Sequence, residues 1–234
     1  MFEIILLDLD DTILDFSWAE GHAIRSALQE FGIVPTEEIC QTYRKINLAH
    51  WQALERRELT LEQVRVGRFR ALLEALGKTG DEYALADAYV HYLGRGHCFL
   101  PGAKEAVEGL SQKYRLILVT NGNPPVQWGR LQSADLLRYF ENIFISAELG
   151  ANKPSREFFD RCFAQIPKFQ REAALIVGDS LTSDIQGGKN ASIATCWVNP
   201  KNLQAPENLT PDYQIPSLSQ LEALLSAMRN ETEG

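Results

Sequence analysis

Five short apolar runs punctuate the chain: Glu3 to Asp8 (EIILLD), RLILVT at 115–120, NIFIS at 142–146, ALIVGD at 174–179 and ATCWVN at 194–199. Continuous apolar runs of this length, rather than alternating ones, mark strands buried on both faces, as in a parallel sheet. Between them the apolar positions recur with the helical period. Ala103, Ala106, Val107 and Leu110 share one face of a helix predicted over 102–113. A second helix is expected over about 125–138 and a third after Ser155. Strands alternating with helices predict an α/β fold built on a doubly wound parallel sheet. A last helix is expected over 217–228, with Ser219 and Glu222 spaced for a capping box, followed by a frayed polar tail at 229–234.

Residues 15–98 follow a different pattern, with no strand-like run. Ser17 with Glu20 is spaced to cap a helix ending near Gly32, and Thr60 with Gln63 to cap one ending near Gly77. Leu48, Trp51 and Leu54, then Leu72, Leu73 and Leu76, recur at helical spacing. The segment reads as an all-helical block inserted after the first strand. Such an insertion belongs above the carboxyl ends of the strands, where α/β proteins bind ligands, so it is a candidate cap. The predicted organisation is an α/β core from 1–14 and 99–234, and a helical cap from 15–98.

Charge narrows the partners. The 234 residues carry 31 acidic against 23 basic side chains, a net charge of −8. That balance argues against a nucleic-acid polymer or an anionic membrane as partner and leaves room for a small phosphorylated metabolite. No apolar run is long enough to span a bilayer, and the opening MFEIILLDLDD lacks the basic start of a signal peptide. Cys40, Cys98, Cys162 and Cys196 form no CxxC pair, which favours reduced thiols and a cytoplasmic location.

The candidate chemistry stands at the carboxyl ends of the predicted strands. The first ends in Asp8-Leu9-Asp10-Asp11-Thr12, the second in Thr120-Asn121-Gly122, and the fourth in Gly178-Asp179-Ser180, with Asp184 close behind. Lys153-Pro154 follows the third. Two or three carboxylates that converge on one point need a cation to offset their repulsion. Oxygen donors without convergent Cys or His point to Mg²⁺, with Lys153 and the Thr120 hydroxyl placed to hold a phosphate. His22, His50, His91 and His97 lie in or beside the helical block, which argues against histidine base chemistry in the core. Gly77-Lys78-Thr79 lacks the first glycine of a phosphate loop, and Gly178-Asp179-Ser180 lacks the second glycine of a hydrolase elbow.

With DLDDT at 8–12, TNG at 120–122, KP at 153–154 and GDSLTSD at 178–184 in this order, the chain resembles the haloacid dehalogenase-like (HAD) hydrolase superfamily. The resemblance covers the whole chain, because 15–98 has the length and helical character of that superfamily's small cap. It implies that Asp8 attacks phosphorus to form an aspartyl-phosphate, and that Asp10 protonates the leaving oxygen and then activates water. It implies that Thr120 and Lys153 stabilise the phosphoryl group, joined in phosphate binding by Leu9 and Asn121. Mg²⁺ would be held by Asp8, the Asp10 carbonyl and Asp179, with Asp184 in support. Asp10 favours phosphate esters over halides, since a halide departs without a proton. Asp11 is balanced between capping the following helix and assisting the site.

A narrower resemblance, to bacterial pyrimidine 5′-nucleotidases, is carried by Asn47 to Trp51, Gly67-Arg68-Phe69 and Ala194 to Asn199. It implies nucleoside 5′-monophosphates as substrates, with Asn47, Trp51, Arg68 and Phe69 as candidate substrate residues. Trp18, Trp51 and Phe69 read more readily as helical core than as substrate contacts, whereas Asn47 and Arg68 are balanced between substrate contact and a solvated face. A sugar phosphomutase, a small sugar-phosphate or phosphoglycolate phosphatase, and a phosphate-binding regulatory protein are the alternatives.

Overall fold

The computed structural model describes residues 1–56 and 58–233, and the side chains of all of these except 55 and 230–233. Two compact units form: Met1–Phe16 with His97–Gly234, and Ser17–Gly96. The first holds β1 (Ile4–Leu7), α5 (Ala103–Ser111), β2 (Arg115–Thr120), α6 (Pro124–Ser133), β3 (Asn142–Ile145), α7 (Ser146–Leu149) and α8 (Arg156–Phe163). It continues through β4 (Ala174–Gly178), a π-helical turn (Leu181–Ile185), α9 (Gln186–Ala191), β5 (Ala194–Val198), β6 (Tyr213–Ile215) and α10 (Leu221–Glu233). The helical unit holds α1 (Phe16–Glu30), α2 (Glu37–Glu55), α3 (Leu61–Ala75) and α4 (Glu82–Arg95).

The six strands form one parallel sheet in the order β3-β2-β1-β4-β5-β6. Successive side chains of a strand point to opposite faces, and β1 shows why its run is apolar throughout. Ile5 and Leu7 pack with Val107 and Leu110 of α5, Leu131 of α6, and Leu221 and Leu225 of α10. Ile4 and Leu6 pack on the other face with Phe158, Phe159 and Cys162 of α8 and Ala191 of α9. Both faces are covered by helices, so no position of the strand meets water. The chain order reverses direction on either side of β1, and in open α/β sheets that reversal marks the crevice where ligands bind.

The five strands read from apolar runs all form, and β6 is an addition. Thr60 accepts from the Gln63 N–H while Gln63 caps back, as the spacing predicts. The other two boxes do not form. Helix α1 begins at Phe16, whose N–H donates to Asp11 Oδ1 at 3.0 Å, and Glu20 turns inward to Asn47. Ser219 pairs with Ser217 at 2.7 Å, and Glu222 pairs with Lys113. The helix of 217–228 starts late, at Leu221, and runs to Glu233 where a frayed tail was expected; Gly234 lies outside the described residues. Trp18 is not core: it is 45% exposed and stacks on His22, and Leu48 is 59% exposed.

Candidate active site

The loop after β1 is set by its own backbone. The Asp8 N–H donates to Val177 O at 3.0 Å, which keeps Asp8 in step with β4 beyond the last strand residue. Leu9 is fully buried, and its carbonyl accepts from the N–H groups of both Ile13 and Leu14. What Leu9 can offer a ligand is therefore main chain. Asp11 turns the chain with φ of 56°, and its carboxylate is committed to the Phe16 N–H.

Lys153 is the hub of the edge. Its Nζ donates to Asp8 Oδ1 at 2.6 Å, to Asp184 Oδ1 at 2.6 Å and to Val119 O at 2.9 Å, which uses all three protons. Lys153 reaches this point because Asn121 holds its backbone on both sides. Asn121 Oδ1 accepts from the Lys153 N–H at 2.9 Å, and Asn121 Nδ2 donates to Lys153 O at 2.8 Å. Motifs 120–122 and 153–154 are thus one unit, and Asn121 positions the lysine.

Asp179 and Asp184 come from the far end of β4. The π-helical turn folds back because Ser180 Oγ accepts from the Ser183 N–H at 3.1 Å and the Ser180 N–H donates to Asp184 Oδ2 at 3.1 Å. Gly178 leaves the room this fold-back needs: a Cβ there would lie 2.7 Å from Asp184 Cβ. The Asp179 carbonyl accepts from Trp197 Nε1 at 2.7 Å, which ties the loop to β5. Carboxylate oxygens of Asp8, Asp179 and Asp184 lie within 4.8 Å of one another. Burial raises the Asp8 carboxyl well above its ordinary range; Lys153 offsets part of the rise, and Asp184, Asp179 and Asp10 add to it. Asp179 is pushed up to about 7, by burial first and then by Asp184 and Asp11. Burial opposes the charge on Lys153, but Asp184 and Asp8 outweigh it and hold the ammonium charged. One lysine does not neutralise three carboxylates, and an all-oxygen donor set with surplus negative charge suits a hard cation such as Mg²⁺.

Asp10 stands in a different environment. Its Oδ2 accepts from Gln127 Nε2 at 2.9 Å, and its Oδ1 pairs with Arg130. Gln127 Nε2 also donates to Thr120 Oγ1 at 2.8 Å, so one amide joins Asp10 to Thr120. Gln127 and Arg130 are absent from the sequence reading. Their signal was available: on α6 they fall among buried Val126, Leu131 and Ala134, where an apolar face should carry no polar side chains.

The predicted substrate residues all lie in the helical unit. Asn47 Nδ2 donates to Glu20 Oε1 at 2.5 Å, and Arg68 Nη1 donates to Asn47 Oδ1 at 2.7 Å, forming a buried Glu20–Asn47–Arg68 chain. The Arg68 guanidinium lies 5.0 Å from the Phe69 ring centre and 4.7 Å from that of Tyr89. Phe69 is fully buried, its ring 5.5 Å from Tyr43 and 5.3 Å from Tyr89, whereas Trp51 is half-buried on α2.

Residues 2–192 match the model of the haloacid dehalogenase-like hydrolases. The chain belongs to that family. It is 38% identical over 225 residues to the HAD-hydrolase YfnB of Bacillus subtilis, spanning 96% of both chains. A magnesium-bound crystal structure of YfnB superposes with a TM-score of 0.90, over 96% of this chain and 98% of that one. Pyrimidine 5′-nucleotidase PynA of Streptococcus pneumoniae is 36% identical, covering 94% of this chain and 93% of its own. Pyrimidine 5′-nucleotidase YjjG of Escherichia coli is 31% identical, covering 94% and 96%. As a member of this family the chain is a hydrolase with an α/β Rossmann-like core. Among the described residues no helix is long and apolar enough to cross a membrane.

Proposed function

We propose that this hydrolase is a Mg²⁺-dependent phosphomonoesterase that works through an aspartyl-phosphate on Asp8 and acts on nucleoside 5′-monophosphates of pyrimidine type. The observation that carries the proposal is the division of one sheet edge into two carboxylate environments. Asp8 and Asp184 bond Lys153 and cluster with Asp179, while Asp10 stands apart on Gln127 and Arg130. The first grouping suits a nucleophile beside a cation site, and the second an acid–base group.

Asp8, Asp179 and the main-chain carbonyl of Asp10 would hold the cation, with Asp184 in support. A bound cation neutralises phosphoryl charge and favours the ionised form of Asp8. An Asp8 carboxylate oxygen attacks phosphorus as the bond to the ester oxygen breaks, and Asp10 gives that oxygen its proton. Splitting the hydrolysis this way replaces one difficult step with two easier ones. Asp10, now ionised, takes a proton from water as the water oxygen attacks the phosphorus of the aspartyl-phosphate. Phosphate leaves, Asp8 regains its carboxylate, and Asp10 is again protonated. Thr120 accepts from Gln127 and keeps its own hydroxyl proton for a phosphoryl oxygen; Lys153 and Asn121 complete the phosphoryl site.

The nucleotide preference is supported by the two pyrimidine 5′-nucleotidases that match 94% of this chain. We assign selection of the leaving group to Asn47, Arg68 and Trp51 of the helical unit; Phe69, fully buried against Tyr43 and Tyr89, is core and supports Arg68 from beneath. A site built to hydrogen-bond a substrate penalises analogues that leave its polar groups unpaired. The test is phosphate release over nucleoside monophosphates, sugar phosphates and phosphoglycolate, with Asn47→Ala and Arg68→Ala alongside. Pyrimidine nucleotides should be preferred, and both variants should lose kcat/KM for them while largely sparing p-nitrophenyl phosphate. A preference for a small sugar phosphate would overturn the substrate class.

A further inference from the structure

We propose that Arg130 and Gln127 form a two-point clamp that positions Asp10 for proton transfer, an inference that rests on the acid–base reading of Asp10. Each oxygen of Asp10 meets a different donor, Oδ1 the Arg130 guanidinium and Oδ2 the Gln127 amide at 2.9 Å. The two donors stand one turn apart on α6, and Arg130 Nη1 also reaches Gln127 Oε1 at 3.4 Å, which fixes them to each other. A carboxylate held at both oxygens has neither its position nor its plane free.

Arg130 brings its charge into the interior beside Asp10. Its side chain is fully buried, yet Nε and Nη2 have no hydrogen-bond partner among the described residues. Burying a guanidinium is costly unless its charge is paired, and the Asp10 carboxylate supplies that pairing. The Phe16 ring lies 5.7 Å from the guanidinium carbon. The guanidinium thus meets Asp10 as its ion-pair partner among the described residues. Gln127 extends the clamp: the same Nε2 bonds Thr120 Oγ1 at 2.8 Å, so the leaving-group end and the phosphoryl end of the site share one amide.

The experiment compares the first-turnover rate of leaving-group release in Arg130→Met, Arg130→Lys, Gln127→Leu and Asp10→Asn, each with Mg²⁺, on uridine 5′-monophosphate and p-nitrophenyl phosphate. The nucleoside leaves as an alkoxide that needs a proton, whereas p-nitrophenolate does not. Misplacing a catalytic group by about 1 Å costs on the order of 10²-fold. Arg130→Met should therefore lose about 10²-fold in the first-turnover rate of leaving-group release from the nucleotide, with a much smaller loss for p-nitrophenyl phosphate, because only this first step differs between the two esters. Arg130→Lys should recover part of the loss. If Arg130→Met does not fold, Gln127→Leu carries the same comparison, and it should show the same leaving-group split. Equal losses on the two esters in folded clamp variants, or no loss, while Asp10→Asn retains the split, would overturn the clamp alone. Equal losses in Asp10→Asn itself would overturn the acid reading of Asp10 and the clamp with it.

Discussion

Replacing Lys153 by Met keeps most of the stem and removes the ammonium that bonds Asp8 and Asp184, each at 2.6 Å, and Val119 O at 2.9 Å. The three carboxylates left behind lie within 4.8 Å of one another. At an effective dielectric constant of about 20, each ionised pair at that distance repels by about 3.5 kcal/mol. Removing one partner of a buried ion pair costs about 3–5 kcal/mol by comparison with measured cases. Asp8 and Asp179 already have raised pKa values and can take up protons, so the loss should fall near the lower end. For a chain of this length about 3 kcal/mol corresponds to a fall in Tm of roughly 6–12 °C. Calorimetry in EDTA near neutral pH measures it directly. Excess Mg²⁺ should narrow the gap, because the variant's uncompensated carboxylates bind the cation more tightly than the wild type's and so gain more from it. A metal-free variant that melts within about 2 °C of the wild type would refute the idea that Lys153 is the counter-ion of this edge.

Two further outcomes follow from the same geometry. Asp179 titrates near 7 in the folded metal-free protein, above its ordinary 3.8, so it stays protonated over a range where the unfolded chain is ionised. Its contribution to metal-free stability is complete below about pH 4 and is lost as pH rises towards 7. A cation needs ionised ligands, so the Tm rise caused by Mg²⁺ should be larger near pH 8 than near pH 5; equal rises would contradict it. Gly122→Ala would place a Cβ in overlap with Gln127 Cγ and displace that buried side chain, so the folded variant, checked by circular dichroism, should lose kcat for alkyl phosphates with the clamp; full activity would count against the Gln127 contacts.

The legible and illegible parts of the fold separate by burial geometry. Strands β1 to β5 are apolar on both faces because helices cover both, and that leaves an unbroken run such as Ile4–Leu7. Strand β6 sits at the sheet edge, spans three residues and exposes Gln214, so it leaves no run to read. Asp8, Asp10, Lys153 and Asp179 are legible because each follows a strand or its loop directly. Gln127 and Arg130 leave a fainter signal, two polar positions on the face of α6 that carries Leu131, and their pairing with Asp10 is set by packing that local spacing does not announce. The misread box at Ser17 and Glu20 has the same origin: Glu20 meets Asn47, a partner 27 positions away that local spacing does not announce.

The central claim is that Asp8 carries the phosphoryl group, and Asp10→Asn offers the most direct measurement. With p-nitrophenyl phosphate this variant should still form the intermediate, since the leaving group needs no proton, but should hydrolyse it slowly for want of a base. A rapid burst of p-nitrophenolate near one equivalent of enzyme is predicted. Borohydride treatment of the quenched protein, which reduces an aspartyl-phosphate to homoserine, should place homoserine at position 8. Steady turnover without a burst, or reduction at another residue, would contradict the account.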